Sequence, residues 1–135
     1  MRIVSAVVAA LLLFSGVASA TPSRGVTGTI LAQWSAGGRD YTLREIVIDP
    51  GGSTGWHNHD GTLYAFVKKG VLTRTLGDCT TTFVHHRGDA LVEEPNHVHI
   101  GRNLGTSPMV LEVLYVNPPG APLSRDEPNP GCSFE

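Results

Sequence analysis

Short runs of alternating apolar and polar residues, separated by turn residues, make up most of this chain. The run YTLREIVI, from Tyr41 to Ile48, predicts a strand that ends in a turn at Asp49-Pro50-Gly51-Gly52. Met109 to Val116 gives the strongest strand signal, and Asn117-Pro118-Pro119-Gly120 ends it. Further extended runs are predicted at 24–31, 56–59, 63–67, 71–76, 80–86 and 90–93. Because no long amphipathic helix interrupts them, these short strands predict an all-β antiparallel sandwich or barrel.

The N-terminal segment has the layout of a secretory signal peptide. A positively charged start at Met1-Arg2 precedes an apolar run from Ile3 to Phe14, and Ala18-Ser19-Ala20 supplies a site for cleavage before Thr21. A membrane anchor is the alternative, but Ser15 and Gly16 interrupt the run before it reaches the length of a bilayer span. We therefore predict a signal peptide over residues 1–20 and a secreted or periplasmic mature protein.

Residues 21–135 suffice for one domain and are too few for two ordinary ones. The segment from about residue 118 is rich in proline and poor in apolar residues, and is predicted to be irregular. Cys79 and Cys132 both lie in the predicted mature chain. Export to an oxidising compartment favours a disulfide between them, which would hold the C-terminal segment in place.

The charge pattern excludes two classes of partner. The formal net charge of the chain is −2 at neutral pH, and its basic residues form no stripe. Nucleic acid and, after signal cleavage, an anionic membrane surface are therefore not expected as partners. A small-molecule ligand remains the expected partner.

The histidines are the clearest chemical signal in the sequence. All six lie between His57 and His99. In His57-Asn58-His59 the two rings are two residues apart, so a strand would place both on the same face. Paired imidazoles on one face of a strand are suited to a transition metal, and a third ligand could come from His99 or His97.

The sequence around these histidines resembles the cupin superfamily. Its first motif combines glycine, HxH and a later glycine, matched here by Gly51, His57, His59 and Gly70. Its second motif is matched by Gly88, Asp89, Pro95, His99 and Asn103, although His97 replaces a glycine. The resemblance covers residues 40 to 117. It implies a cupin-type (jelly-roll) β-barrel with His57, His59 and His99 as metal ligands, and it makes a homodimer possible.

The first motif lacks one residue of the family pattern. The glutamate that usually supplies a fourth ligand is replaced by Leu63, which we expect to form a wall of the pocket. Three neutral imidazoles would leave the charge of an iron, zinc, manganese or copper ion uncompensated and so favour a small anionic ligand. The predicted function is a metal-dependent oxygenase for such a molecule. The alternative is a non-catalytic extracellular barrel that binds a small ligand or metal.

Other polar residues receive weaker assignments. His97 could support a ligand, and Glu112 is the one carboxylate expected to be able to replace the missing glutamate. His85 and His86 are not expected to bind metal, and Glu93 and Glu94 are expected to be solvated. No residue can be assigned as a catalytic acid or base. Three arginines are expected at the surface, unless one lines the barrel mouth and binds an acid; they are Arg44, Arg74 and Arg102.

Overall fold

The computed structural model describes residues 18–135, which contain ten β-strands and no helix. The strands are β1 (Arg24–Ala36), β2 (Arg39–Ser53), β3 (His57–Asn58), β4 (Thr62–Lys69), β5 (Val71–Leu76), β6 (Thr82–His86), β7 (Ala90–Glu93), β8 (His99–Arg102), β9 (Met109–Asn117) and β10 (Arg125–Asp126). Every pairing between them is antiparallel. The predicted all-β antiparallel architecture is confirmed.

The strands form two faces of a nearly closed barrel. One face has the order β1-β2-β9-β4-β7, and the other has the order β10-β3-β8-β5-β6. The end of β2 joins the two faces, since Ser53 pairs with Arg102 of β8. A long strand that passes from one face to the other in this way removes one of the open edges that two separate sheets would leave.

The core follows from the alternation of the longest strands. In β9 every second residue from Met109 to Asn117 is buried, and β2 buries Ile46 and Ile48 on the same face. Ile46 pairs with Leu111 across the two strands, so their side chains meet inside the barrel. The inward-facing aliphatic residues of β4 and β7 complete this core.

The structure differs from the sequence prediction in three strands. The turn predicted at Asp49-Pro50-Gly51-Gly52 is a register shift within β2, which continues to Ser53 because that residue pairs with Arg24. His99–Arg102 forms β8, and the C-terminal segment, predicted to be irregular, contributes β10. β8 and β10 are too short to show an alternation pattern. β8 forms by pairing mainly with β5, and also with β2 and β3, whereas β10 forms by pairing with β3. The rest of the segment after Asn117 is largely irregular, as predicted. Within residues 18–135 no helix has the length and hydrophobicity needed to cross a bilayer. Most of the predicted signal peptide lies outside the described residues.

A disulfide joins Cys79 to Cys132, with 5.3 Å between the Cα atoms. It ties the C-terminal segment to the turn between β5 and β6. Phe134 then packs against the buried Trp56, and the Arg102 guanidinium lies 3.9 Å from the centre of the Phe134 ring. The C-terminal segment is therefore part of the folded body: β10 pairs with β3, and Phe134 packs against the residue that precedes β3.

Candidate metal centre

The structure brings three of the six histidines together inside the barrel. His57 lies on β3 directly opposite His99 on β8, and their ring centres are 4.4 Å apart. The ring of His59 lies 4.8 Å from that of His57 and 5.2 Å from that of His99. All three side chains are buried. The segment after Pro95 therefore supplies its histidine through residue 99, not 97.

A backbone carbonyl fixes the orientation of each of the three rings. The Nδ1 atoms of His57, His59 and His99 lie 2.9, 2.8 and 2.8 Å from the carbonyl oxygens of Gly55, Leu123 and His97. A carbonyl oxygen can only accept, so each Nδ1 carries the proton and donates it. In a neutral ring held in this way the lone pair lies on Nε2, which is the atom that would bind a metal.

A fourth residue, Glu93, joins the histidines, and the expectation that it would be solvated was wrong. Its Oε2 lies 3.2 Å from Nε2 of His59 and 3.0 Å from Nε2 of His99, and only 9% of the residue is exposed. Glu93 is the last residue of β7 and pairs with Leu63 of β4. Its signal in the sequence was the alternation of β7, which places it on the same face as the buried Leu91.

Arg74 holds the other oxygen of this carboxylate. Its Nε lies 3.1 Å from Oε1 of Glu93, and both side chains are largely buried. The Arg74 guanidinium also lies 5.7 Å from the ring centre of Phe83 on β6. Oε1 of Glu93 is thus held by the Arg74 guanidinium, while Oε2 faces the histidines. The prediction that Arg74 would be a surface charge was wrong.

The protonation states of the centre follow from this packing. Burial, followed by the proximity of His99 and His59, lowers the pKa of His57 to about 3, so its imidazole is neutral at physiological pH. Burial acts to raise the pKa of Glu93, but His99 and His59 lower it to well below its usual value. The centre therefore combines the neutral imidazole of His57 with an ionised carboxylate at Glu93.

This donor set fits a divalent transition metal. One ligand atom from each of His57, His59, Glu93 and His99 lies within 4.8 Å of the other three. The Nε2 atoms of His59 and His99 are buried, have no hydrogen-bond partner and face the same carboxylate oxygen of Glu93. A cation between these three atoms would bind all of them, and three imidazoles with one carboxylate suit iron, manganese, zinc or copper.

The four residues line a pocket of about 430 Å³, including the space open to solvent. Its walls are mainly aliphatic and include Leu63, which is buried beside Glu93. A second pocket shares His57, His59 and Tyr115 with the first and is also lined by Arg44. The ring of Tyr115 lies 5.9 Å from that of His59. Burial raises the pKa of the Tyr115 hydroxyl, although Arg44 opposes this effect.

The remaining predicted residues lie elsewhere. Glu112 was a wrong candidate, because alternation turns it to the outer face of β9, where its carboxylate lies 3.4 Å from Lys68 Nζ. The side chain of His97 is exposed, and only its carbonyl contacts a ligand, His99. His85 and His86 lie on β6, outside the group of possible ligands.

Comparison with known proteins identifies the family. The sequence model of the family described as "Cupin domain" matches residues 44–116, which is more than half of the chain. The chain belongs to the cupin family. The barrel is therefore a cupin jelly roll, as the motifs around His57 and His99 implied. No curated protein matches this cupin.

Several solved structures share the fold of this cupin. A polyketide cyclase, RemF from Streptomyces resistomycificus, has a TM-score of 0.65 and 22% identity, over 81% of this chain and 78% of that one. A cupin-2 domain from Rhodospirillum rubrum has a TM-score of 0.62 and 18% identity, over 93% and 82% of the two chains. A cupin domain from Bordetella pertussis Tohama I has a TM-score of 0.59 and 21% identity, over 69% and 94%. These likenesses establish the fold alone.

Proposed function

We propose that this cupin is a metal-dependent oxygenase that acts on a small anionic molecule. The observation that carries the proposal is the convergence of three imidazoles and one carboxylate beside an open, mainly aliphatic pocket. His57, His59, His99 and Glu93 would hold the ion. A bound divalent ion would supply a Lewis acid and, if it is iron, manganese or copper, a centre for dioxygen chemistry.

The protein residues around the ion have distinct tasks in this proposal. The three carbonyl contacts orient each ring so that its Nε2 faces the centre, and Arg74 holds Glu93 in place. Four protein ligands would leave such an ion open to a small molecule on the side of the pocket, where the aliphatic walls limit the access of bulk water. One carboxylate offsets only part of the charge of a divalent ion, so an anionic substrate is favoured.

Metal analysis tests the first half of the proposal. Wild-type protein should hold one divalent ion per chain after dialysis, and His57→Ala or His99→Ala should hold none. His86→Ala is the matched control, because that side chain is exposed and outside the group. A wild-type chain that stays metal-free when offered iron, manganese, zinc and copper would refute the proposal.

Nitric oxide tests whether the ion is open to small molecules. It binds ferrous iron only through a free coordination position, so iron-loaded protein should give the electron paramagnetic resonance signal of a ferrous–nitrosyl complex. Loaded protein that gives no such signal would contradict an oxygenase. It would leave the alternative, a non-catalytic barrel, which is favoured by the mainly aliphatic lining of the pocket.

We further propose that the protein is exported and cleaved after Ala20. The signal-like N-terminus and the Cys79–Cys132 disulfide support this proposal. Thr21 would then be the first residue, and its hydroxyl donates to the carbonyl of Glu127 and accepts from the Trp56 amide at 2.7 Å. The intact mass of protein from the culture medium or periplasm should correspond to residues 21–135. A product that retains residues 1–20 would contradict cleavage.

A further inference from the structure

We propose that Arg44 is a second anion-binding point of this pocket, and that the substrate is a small organic acid with two anionic groups. One group would bind the metal and the other would bind the Arg44 guanidinium. This inference rests on the proposed function. It goes beyond it by assigning a specificity residue and a substrate class.

The position of Arg44 in β2 directs it into the barrel. Thr42, Ile46 and Ile48 of the same strand are buried, and the alternation of the strand places Arg44 on their face. Arg44 pairs with Val113 of β9, which is buried in the core, and with Ile30 of β1. Arg44 lines the same pocket as His57 and His59, so it fits the alternative expectation of an arginine at the barrel mouth and is not an ordinary surface charge.

Gly28 of β1 allows the guanidinium to lie where it does. A Cβ atom at position 28 would overlap the Arg44 guanidinium. Gly28 does not adopt a left-handed backbone conformation, so its own strand geometry does not require glycine. The absence of a side chain at position 28 therefore leaves the space that the Arg44 guanidinium occupies.

The charge of Arg44 has no acidic partner among residues 18–135. It forms no salt bridge there, although Asp126 lines the same pocket, and its Nε is buried without a hydrogen-bond acceptor. Leaving a buried donor unsatisfied has a cost in free energy, which a bound acceptor would remove. Arg74, by contrast, is already paired with Glu93.

The charges of the pocket point to the class of ligand. Glu93 offsets only part of the charge of a divalent ion and is itself paired with Arg74, so the ion and Arg44 remain as two centres of net positive charge. A guanidinium fork binds a carboxylate through two parallel hydrogen bonds. Ile46 and Tyr115 line both the metal pocket and the pocket that holds Arg44, and they offer apolar surface to a short hydrocarbon body. A small dicarboxylate has these three features.

A matched pair of acids tests the inference. Glutarate and pentanoate have the same chain length, and a methyl group in pentanoate replaces the second carboxylate. Calorimetric titration of zinc-loaded wild-type protein should show at least about tenfold tighter binding of glutarate, the scale of a charge-assisted hydrogen-bond pair. Arg44→Met should bring the ratio of the two dissociation constants close to one, and Arg44→Lys should keep part of it.

Two further variants make the test specific. Gly28→Ala keeps the arginine but displaces it, so it should also lose the preference for glutarate. Arg39→Met removes an exposed arginine from the same strand and should keep the wild-type ratio. An unchanged ratio in Arg44→Met, or a wild type that does not discriminate, would overturn the inference. Metal analysis of the same samples separates the two proposals, since a metal-free wild type refutes the function, whereas a loaded but unselective one refutes only Arg44.

Discussion

At the scale of single residues, the carboxylate of this centre comes from an unusual place. Leu63 stands where the first cupin motif usually has its glutamate, and Glu93 is its direct partner on the neighbouring strand. Directly opposed residues of an antiparallel pair project to the same face with their Cβ atoms about 5 Å apart. A carboxylate on either strand can therefore reach the same histidines.

Removing this carboxylate should weaken metal binding strongly. Glu93→Gln keeps the shape of the side chain but loses the charge, so the metal dissociation constant should rise by roughly 100-fold, the upper range for groups that merely support a ligand. Competition with a chelating dye measures the change. Glu94→Gln, an exposed neighbour, should bind metal as the wild type does.

Exchanging the two residues of the pair gives a complementary result. In Leu63→Glu/Glu93→Leu the carboxylate moves to the position that the family motif specifies, so metal binding should recover part of what Glu93→Leu alone loses. Recovery would be incomplete, because Arg74 loses its contact with Glu93. A double variant as weak as Glu93→Leu would show that the two strand positions are not equivalent.

The lowered pKa of His57 should make the metal-free protein sensitive to acid. In the folded state this pKa is about 3, whereas in the unfolded chain it lies near 6.5, so the unfolded state binds more protons below pH 6.5. The stability that depends on His57 is thus complete well above pH 6.5, and it falls below that pH with a slope that approaches about 1.4 kcal/mol per pH unit near pH 5. Urea unfolding of chelator-treated protein measures this slope.

A His57→Gln variant serves as the control for that slope. Glutamine does not titrate, so the variant should show a flatter dependence over the same range. The lowered pKa of Glu93 acts in the same direction, but its effect begins only near pH 4.5, below this window. Equal free energies of unfolding for wild type at pH 5 and 7 would contradict the assignment.

At the scale of elements, the centre depends on β3. This strand has only two residues, as has β10. It pairs with β8 on one side and β10 on the other, and Gly55 leads into it. Gly55 adopts a φ of +70°, which favours glycine, and a Cβ there would overlap the carbonyl oxygen of Thr21. Its own carbonyl accepts the Nδ1 proton of His57. One turn thus sets the position of a ligand.

Substituting this glycine should damage the metal centre. Gly55→Ala should weaken metal binding by 10-fold or more, on the scale known for lost hydrogen bonds to metal ligands, since it shifts the carbonyl that orients His57. Gly37→Ala is the matched control: its φ is +56°, but a Cβ there meets no atom within 4 Å. That variant should lose about 1 kcal/mol of stability and retain its metal. Similar metal affinities for the two variants would contradict this account.

At the scale of the whole molecule, the C-terminal segment helps to build the site from outside the barrel. The carbonyl of Leu123 holds His59, and β10 pairs with β3. Arg125 forms two hydrogen bonds of 2.7 Å with Asp60. The disulfide at Cys132 anchors the end of this segment, so a covalent bond far from the pocket supports the orientation of a ligand.

Removing the disulfide should therefore affect both stability and metal binding. For a loop of this length, the chain-entropy model predicts that Cys79→Ser/Cys132→Ser loses roughly 4 kcal/mol. The metal dissociation constant should rise as well, because a loosened segment holds His59 less firmly. Urea unfolding and dye competition measure the two effects. A variant that is less stable but binds metal as the wild type does would show that the disulfide does not support the metal centre.

The sequence by itself determined the fold class and three members of the candidate centre. Period-two alternation in β2 and β9 follows directly from which face is buried, so it is visible without any tertiary information. The cupin motifs then located His57, His59 and His99, because motif spacing depends on local strand and turn geometry. The two cysteines allowed only one intramolecular disulfide.

Only the tertiary structure decided how the centre is completed. Glu93 and Leu63 are thirty positions apart, and no local pattern states that they pair. The same holds for Arg44, whose unpaired charge depends on what β1 and β9 place around it, and for β10, which forms only by pairing with β3. Alternation tells which side chains point inward, but the partners that they meet are set by strand pairing over long sequence separations.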